Sequence, residues 1–445
     1  MYGIDTQSNL VDKFSCLTSY LTGSTASRIT ATTGVSILYW LDTNDAVPCS
    51  YSHHDRTLVI NKEQVAHRAD YGVHEQAMQA YIRAGQSRAL ALPNRGQLRF
   101  LDNGDLHPDI SSAVQKYGFY VLKNLVCSDE LNDIEVDVFN ILERLPTSKG
   151  SPVDKQGRSA LGVDFEGVSL FWSRPLGDPF GGTDRAAGRH PVKMLEPEPV
   201  ADSPEQTVYL ILGVLQFSDA LLRLYAHPDL LRLAACLNGE DFVPFNEAMF
   251  IKQPGLGASV AWHQDGVTHW DSKHWDSSIH GYTFQAQLYG CTAANAVWSV
   301  PGSHRLGKVD ISSWAADNGS ERLPDAVPYI CDPGDVVIHN RQLVHGSFAN
   351  TSPDWRVSFT LGYHRRSSVL GVQGGGVHNA TAVYDEERIH KRSRMIGYGI
   401  DARRQRFPDE SPYTYAPFVK SGEKLEWNES VKQTIHDYNL LDLSI

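Results

Sequence analysis

The chain has 445 residues, 41% of them hydrophobic and 21% charged, which is the composition of a folded globular protein. Its formal net charge of -12, without a basic patch, disfavours nucleic acid as a partner. No apolar stretch reaches the roughly 18–20 residues of a membrane span, and the N-terminus lacks the features of a secretory signal, so we expect a cytoplasmic protein. The six cysteines form no CxxC pair, which argues against structural zinc.

The first half of the chain is predicted to be helical, with long loops. Apolar residues at helical spacing and terminal signals predict helices over five ranges: 75–89, 109–117, 128–145, 205–226 and 228–237. We expect Ser128 to be the N-cap of the third helix. A short apolar strand is predicted at 118–122, and residues 146–206, rich in Gly, Pro and charged residues, are predicted to be mostly loop.

Beyond residue 240 the apolar period changes to two, which is typical of strands. Strands are predicted over five ranges: 243–252, 282–289, 296–300, 335–339 and 356–363. Short strands after a helical block predict an α+β, mainly β fold, with a cupin-like double-stranded β-helix, or jelly roll, buttressed by helices. We divide the chain into an N-terminal extension of unknown role (1–106), a core domain (107–371) and a C-terminal extension that packs on the core (372–445).

The segment WHQD contains a candidate metal chelate. His263 and Asp265 are two residues apart, so in extended backbone their side chains leave the same face. His345, in the later segment VHGS, is the candidate third ligand. Two imidazoles and one carboxylate on one face of an octahedral iron leave three positions open for a co-substrate and dioxygen. His339 is the alternative third ligand, and we interpret it as a structural residue.

A second set of polar residues follows the third ligand. Arg356 begins a predicted strand, where its guanidinium could bind the distal carboxylate of a dicarboxylate cofactor in a bidentate manner. Ser358 shares the same strand face and could add a hydrogen bond. Ser347, next to His345, could do the same.

The ordered combination of FIKQPG, WHQD, VPGSHR, PGDVVIHNRQLVHGS and WRVSFTLGY resembles the phytanoyl-CoA dioxygenase family of iron(II)/2-oxoglutarate oxygenases. The resemblance covers roughly residues 107–370 and begins with YGFYVLKNLV. It implies that His263, Asp265 and His345 bind the iron, with Arg356 as the 2-oxoglutarate anchor and Ser347 as a second contact.

Further site residues are expected on the substrate and cofactor sides. The resemblance places Gln264 towards the substrate and Gln285 towards the other end of the cofactor. The loop 268–282 follows the metal chelate directly, and its Trp270 and Trp275 are predicted to cover the substrate.

The expected activity is a dioxygenase that uses iron(II), 2-oxoglutarate and dioxygen to oxidise a small metabolite, releasing succinate and carbon dioxide. Hydroxylation is the first expectation, and desaturation, epoxidation and ring rearrangement in a biosynthetic pathway such as secondary metabolism are alternatives. A cupin-like isomerase or a non-catalytic jelly-roll binding protein is the alternative of another class. The expected partner is a small-molecule substrate, with neither nucleic acid nor membrane, and the chain is expected to be a monomer or homodimer.

Overall fold

The computed structural model describes residues 69–265, 281–372 and 383–440. The helices in these ranges are α1 (Glu75–Ala91), α2 (Pro108–Tyr117), α3 (Ser128–Glu143), α4 (Asp219–Tyr225), α5 (Pro228–Asn238), α6 (Ile311–Asn318), α7 (Arg366–Val369), α8 (Glu386–Arg406), α9 (Ala416–Ser421) and α10 (Glu429–Lys432). The strands are β1 (Arg95–Gly96), β2 (Phe119–Leu122), β3 (Ser169–Ser173), β4 (Thr207–Leu212), β5 (Val243–Lys252), β6 (Val260–His263), β7 (Gly281–Gln287), β8 (Trp298–Ser299), β9 (Val327–Pro328), β10 (Val336–Asn340), β11 (His345–Ser347) and β12 (Arg356–His364).

The strands form two sheets that enclose the interior of a jelly roll. The large sheet has the order β1-β2-β10-β7-β12-β5-β4-β3, and the small sheet has the order β6-β11-β8-β9. The central pairs of the large sheet, such as β12 with β5 and β7, are antiparallel. The predicted jelly-roll fold is confirmed.

The two faces of the large sheet differ in polarity. On β12, alternate residues from Val357 to Tyr363 pack into the main hydrophobic core, which also contains side chains of α2, α3, α4, α5 and α8. The intervening residues Arg356, Ser358 and Thr360 face the interior of the jelly roll, as expected from the two-residue period of a strand. The helices therefore cover the apolar face, and the polar face is left to form a site.

Two predicted local features are wrong. Residues 207–212 form the strand β4 instead of the start of a helix over 205–226, because TVYLIL is rich in β-branched and aromatic residues, all buried, and pairs with β3 and β5. Ser128 is the first residue of α3 and not its N-cap. The N-cap position belongs to Cys127, whose side chain makes no capping hydrogen bond.

The segments on either side of the predicted core domain pack against it. In α1, the ring of Tyr81 stacks on Trp298 of β8 with a centroid distance of 4.8 Å. In α8, Arg392 donates to Glu247 of β5 at 2.9 Å, with both side chains buried. The domain boundaries stay a prediction. No helix among the described residues is long and apolar enough to cross a membrane.

The contact between α1 and β8 can be tested at Gly85. A Cβ atom built there would lie 2.3 Å from the Trp298 ring. In a solvated helix Gly→Ala stabilises by about 1 kcal/mol, but here we expect Gly85→Ala to destabilise by about 1–3 kcal/mol because the site is overpacked. The exposed neighbour Gln86→Ala is the control, expected to change stability by less than about 0.5 kcal/mol. A denaturant titration that shows Gly85→Ala to be stabilising would contradict this packing.

Candidate metal centre

Two strands of the small sheet bring the predicted metal ligands together. β6 and β11 are antiparallel neighbours, and His263 lies directly opposite His345 in their register, with ring centroids 4.1 Å apart. Asp265 follows β6, and its carboxylate oxygens lie 3.6 Å from Nε2 of His263 and 3.9 Å from Nε2 of His345. The three ligand atoms lie within 4.8 Å of one another, and all three residues are buried.

Each histidine is held in the tautomer that a metal requires. Nδ1 of His263 is 2.8 Å from the carbonyl oxygen of Ala261, and Nδ1 of His345 is 2.9 Å from that of Leu343. A carbonyl oxygen only accepts, so Nδ1 carries the hydrogen and the lone pair lies on Nε2. This arrangement orients ligand histidines in metalloproteins.

The charges around the site favour the ligating protonation states. Burial lowers the pKa of His263 and His345, so both rings are neutral. Burial alone would raise the pKa of Asp265, but the Arg341 guanidinium, followed by His345 and His263, outweighs it and holds that pKa well below its usual range. The site therefore offers two neutral imidazoles and one carboxylate, a donor set that fits iron(II).

The same cavity contains a buried cation suited to a dicarboxylate. Arg356 is 1% exposed and lines the cavity of about 370 Å³ that also contains the three ligands. Its guanidinium donates to the carbonyl oxygen of Asn295 at 3.2 Å and to the hydroxyl of Ser358 at 3.1 Å, while Nε has no partner. Among the described residues no carboxylate pairs with Arg356. A buried guanidinium in that state fits the carboxylate of a bound 2-oxoglutarate.

The other predicted site residues do not all line the cavity. Ser347 and Gln285 line the cavity, and Ser358 supports Arg356 without lining it. Gln264 does not line the cavity, because its amide donates to Gly307 and Gln342, and its oxygen accepts from the backbone of Val309. These hydrogen bonds tie Gln264 to the loop 307–309, and its predicted contact with the substrate stays a prediction. Trp270 and Trp275 lie outside the described residues.

Arg189, His190 and His339 line the cavity but were not predicted as site residues. Arg189 and His190 come from the loop-rich segment 146–206 and both line the cavity. Arg189 Nη1 lies 3.8 Å from Asp265, and the ring of His190 lies 4.4 Å from that of His263. His339, interpreted as structural, also lines the cavity, 4.9 Å from the His345 ring, with neither ring nitrogen hydrogen-bonded. No sequence signal identified Arg189 and His190, since no motif surrounds them.

Comparison with known proteins identifies the family. The family model of phytanoyl-CoA dioxygenase (PhyH) matches residues 114–358, which is more than half of the chain. The chain belongs to this family. The jelly-roll fold predicted from the sequence agrees with that membership, and the use of iron and 2-oxoglutarate stays a prediction that the buried cluster of His263, Asp265 and His345 supports.

Individual relatives match more distantly. Phytanoyl-CoA dioxygenase 1 of Oryza sativa subsp. japonica is 29% identical over 125 residues, a match of 26% of this chain and 42% of the relative. The chain thus spans less than half the length of that curated relative. AviO1 from Streptomyces viridochromogenes Tue57 is 21% identical, with a TM-score of 0.39 over 57% of this chain and 93% of AviO1. EctD from S. alaskensis with 2-oxoglutarate and 5-hydroxyectoine is 20% identical, with a TM-score of 0.43 over 63% of this chain and 83% of EctD.

The three-ligand assignment predicts which variants lose metal. His263→Ala, Asp265→Ala and His345→Ala should each weaken Mn(II) binding by roughly 100-fold or more, since the protein supplies only three ligands. His339→Phe should leave the affinity within a few-fold. Calorimetric titration of purified apoprotein measures this, with melting temperature as the check on folding. If His345→Ala keeps its affinity while His339→Phe loses it, the third ligand is His339.

Proposed function

We propose that this chain is an iron(II)- and 2-oxoglutarate-dependent oxygenase that hydroxylates a small molecule. The observation that carries the proposal is the sharing of one buried cavity by the His263, Asp265 and His345 cluster and by Arg356, a buried cation without a carboxylate partner among the described residues. The metal and the co-substrate each have a matching set of protein groups within that cavity. In the proposed reaction a substrate C–H bond, dioxygen and 2-oxoglutarate give an alcohol, succinate and carbon dioxide.

The protein groups have separate tasks in this proposal. When bound, the iron and 2-oxoglutarate supply dioxygen activation coupled to oxidative decarboxylation. His263, Asp265 and His345 would hold the metal. Arg356, which donates to the carbonyl oxygen of Asn295, would bind the distal carboxylate of 2-oxoglutarate.

The cavity walls are expected to shape the environment of the reacting atoms. Gln285 and Ser347 line the cavity, and so do apolar side chains from β3, β4 and β5. An apolar wall excludes water from the reacting atoms, which protects a strong oxidant from side reactions.

Arg356 also separates this function from the alternatives. A cupin-like isomerase needs metal ligands in a jelly roll, but it has no use for a buried guanidinium beside them. A non-catalytic binding protein needs neither. Desaturation, epoxidation and ring rearrangement would use the same groups, and product analysis distinguishes them from hydroxylation.

The test of this function is succinate formation. Purified protein with iron(II), ascorbate and 2-oxoglutarate, incubated with a panel of small metabolites, is expected to form succinate together with an oxidised product. His263→Ala provides the inactive control. If the wild-type protein neither binds 2-oxoglutarate nor forms succinate with any member of the panel, a non-catalytic jelly-roll protein is the better description.

The anchor role of Arg356 gives a separate prediction. Arg356→Ala should raise the dissociation constant of 2-oxoglutarate roughly tenfold to hundredfold, the loss of about 1.5–3 kcal/mol expected for charge-assisted hydrogen bonds. Arg356→Lys should be nearly as impaired, because an ammonium group cannot make the bidentate contact. Calorimetry on the Mn(II)-loaded protein measures both, and the exposed Arg305→Lys is the matched control. Normal 2-oxoglutarate binding by Arg356→Ala would place the anchor elsewhere.

A further inference from the structure

One wall of the cavity is mainly apolar but contains buried polar atoms. It is built mainly of apolar side chains from β3, β4, β5 and the connection between β3 and β4, including Phe171, Phe180, Leu212 and Phe250. Phe180 packs against both Phe171 and His190, with ring centroid distances of 6.3 and 5.1 Å. A wall of this kind selects an apolar ligand body.

Within this apolar wall, three buried polar atoms have no hydrogen-bond partner. They are Nε of Arg189, Nδ1 of His190 and the hydroxyl of Tyr209. His190 and Tyr209 are buried at 3% exposure, and the side chain of Arg189 is 7% exposed. A buried polar atom without a partner costs on the order of 1–3 kcal/mol, so such atoms in a cavity point to a ligand that satisfies them.

A bulge between β3 and β4 explains how Tyr209 reaches the cavity. Phe171 pairs with Leu210 and Trp172 pairs with Val208, so Tyr209 is the extra residue between the two pairs. Because of the bulge, both Tyr209 and Leu210 line the cavity, although neighbours on a regular strand face opposite sides. Bulges of this type commonly direct a side chain into a site.

The charge of Arg189 requires an anion. The ion pair that the structure gives it is with Asp265 at 3.8 Å, longer than a hydrogen bond. Oδ2 of Asp265 also lies 3.7 Å from Nη2 of Arg341. Asp265 is one of the three candidate metal ligands, so a bound divalent cation would neutralise the negative charge of its carboxylate. A guanidinium can only donate hydrogen bonds, and a buried one needs a compensating negative charge.

We propose that the substrate is a small apolar carboxylate, or an equivalent organic monoanion, whose anionic group binds Arg189 and His190 and whose apolar body lies against Phe171 and Phe180. This inference rests on the proposed function, because it assigns the substrate region of the same cavity. The cavity of about 370 Å³ must also contain 2-oxoglutarate, so the substrate is small. The hydroxyl of Tyr209 is a further donor for an acceptor atom of the substrate.

The test measures binding without turnover. Full-length protein is loaded with Mn(II) in place of iron and saturated with 2-oxoglutarate, and calorimetry then compares three apolar acids with their neutral amides: cyclohexanecarboxylate, 3-phenylpropanoate and octanoate. Gluconate is the polar acid control. At least one apolar acid is expected to bind roughly tenfold or more tightly than both its amide and gluconate, the range of a charge-assisted hydrogen bond.

Substitutions test whether Arg189 causes the preference for an acid over its amide. Arg189→Met should abolish the preference for acid over amide, while Arg189→Lys should retain part of it because the charge remains. The matched control is Arg185→Met, an exposed arginine in the same segment, which should bind like the wild type. Phe171→Ala should weaken acid and amide alike by a few-fold. Melting temperatures of all variants identify any that fail to fold.

Four outcomes would overturn the proposal: no apolar acid binds, an acid and its amide bind equally, gluconate binds as tightly, or Arg189→Met and Arg189→Lys weaken 2-oxoglutarate binding instead. The last result would assign Arg189 to the co-substrate. A wild-type protein that binds neither Mn(II) nor 2-oxoglutarate would overturn the proposed function as well. A protein that binds both but shows no preference for apolar acids would overturn the substrate assignment alone.

Discussion

The site depends on the register between β6 and β11. This antiparallel pair places His263 directly opposite His345, and a shift of one residue would turn one ring to the other face of the sheet. Backbone carbonyls two residues before each histidine then fix the ring tautomers. The position of the two histidines is therefore set by backbone pairing, and a ligand set held in this way lowers the cost of organising the ligands on binding.

The large sheet forms another part of the cavity, because successive side chains on its strands point to opposite faces of the sheet. Its apolar face is covered by helices, and its polar face presents Gln285, Thr360 and Arg356 to the metal ligands across the interior. Such polar groups are costly to bury unless they are satisfied. Protein groups offset part of this desolvation free energy: the carbonyl oxygen of Asn295, for example, accepts a hydrogen bond from Arg356. We infer that a bound co-substrate offsets the rest.

The sequence was most informative where a regular backbone carries the site. The strand period placed Arg356 and Ser358 on one face, and the two-residue spacing of His263 and Asp265 predicted their chelate; β5 was predicted with its observed bounds. The same reasoning failed at β4, where a buried strand and a helix both read as continuous apolar residues. The hydrogen bonds of Gln264 to the loop 307–309 were not predicted either, since that loop lies more than 40 residues away in the sequence.

Arg189 and His190 show why substrate recognition is the hardest part to predict. They lie just after a short 3-10 helix at 185–188, in a segment that has neither the period of a strand nor that of a long helix. Their place beside the metal ligands is set by contacts distant in sequence, such as the ring of His190 against that of His263. The metal and co-substrate groups belong to rigid strands, whereas these two residues belong to a loop whose sequence can change without disturbing the sheets. A jelly roll built in this way can keep its oxidation chemistry and change its substrate by altering that loop alone.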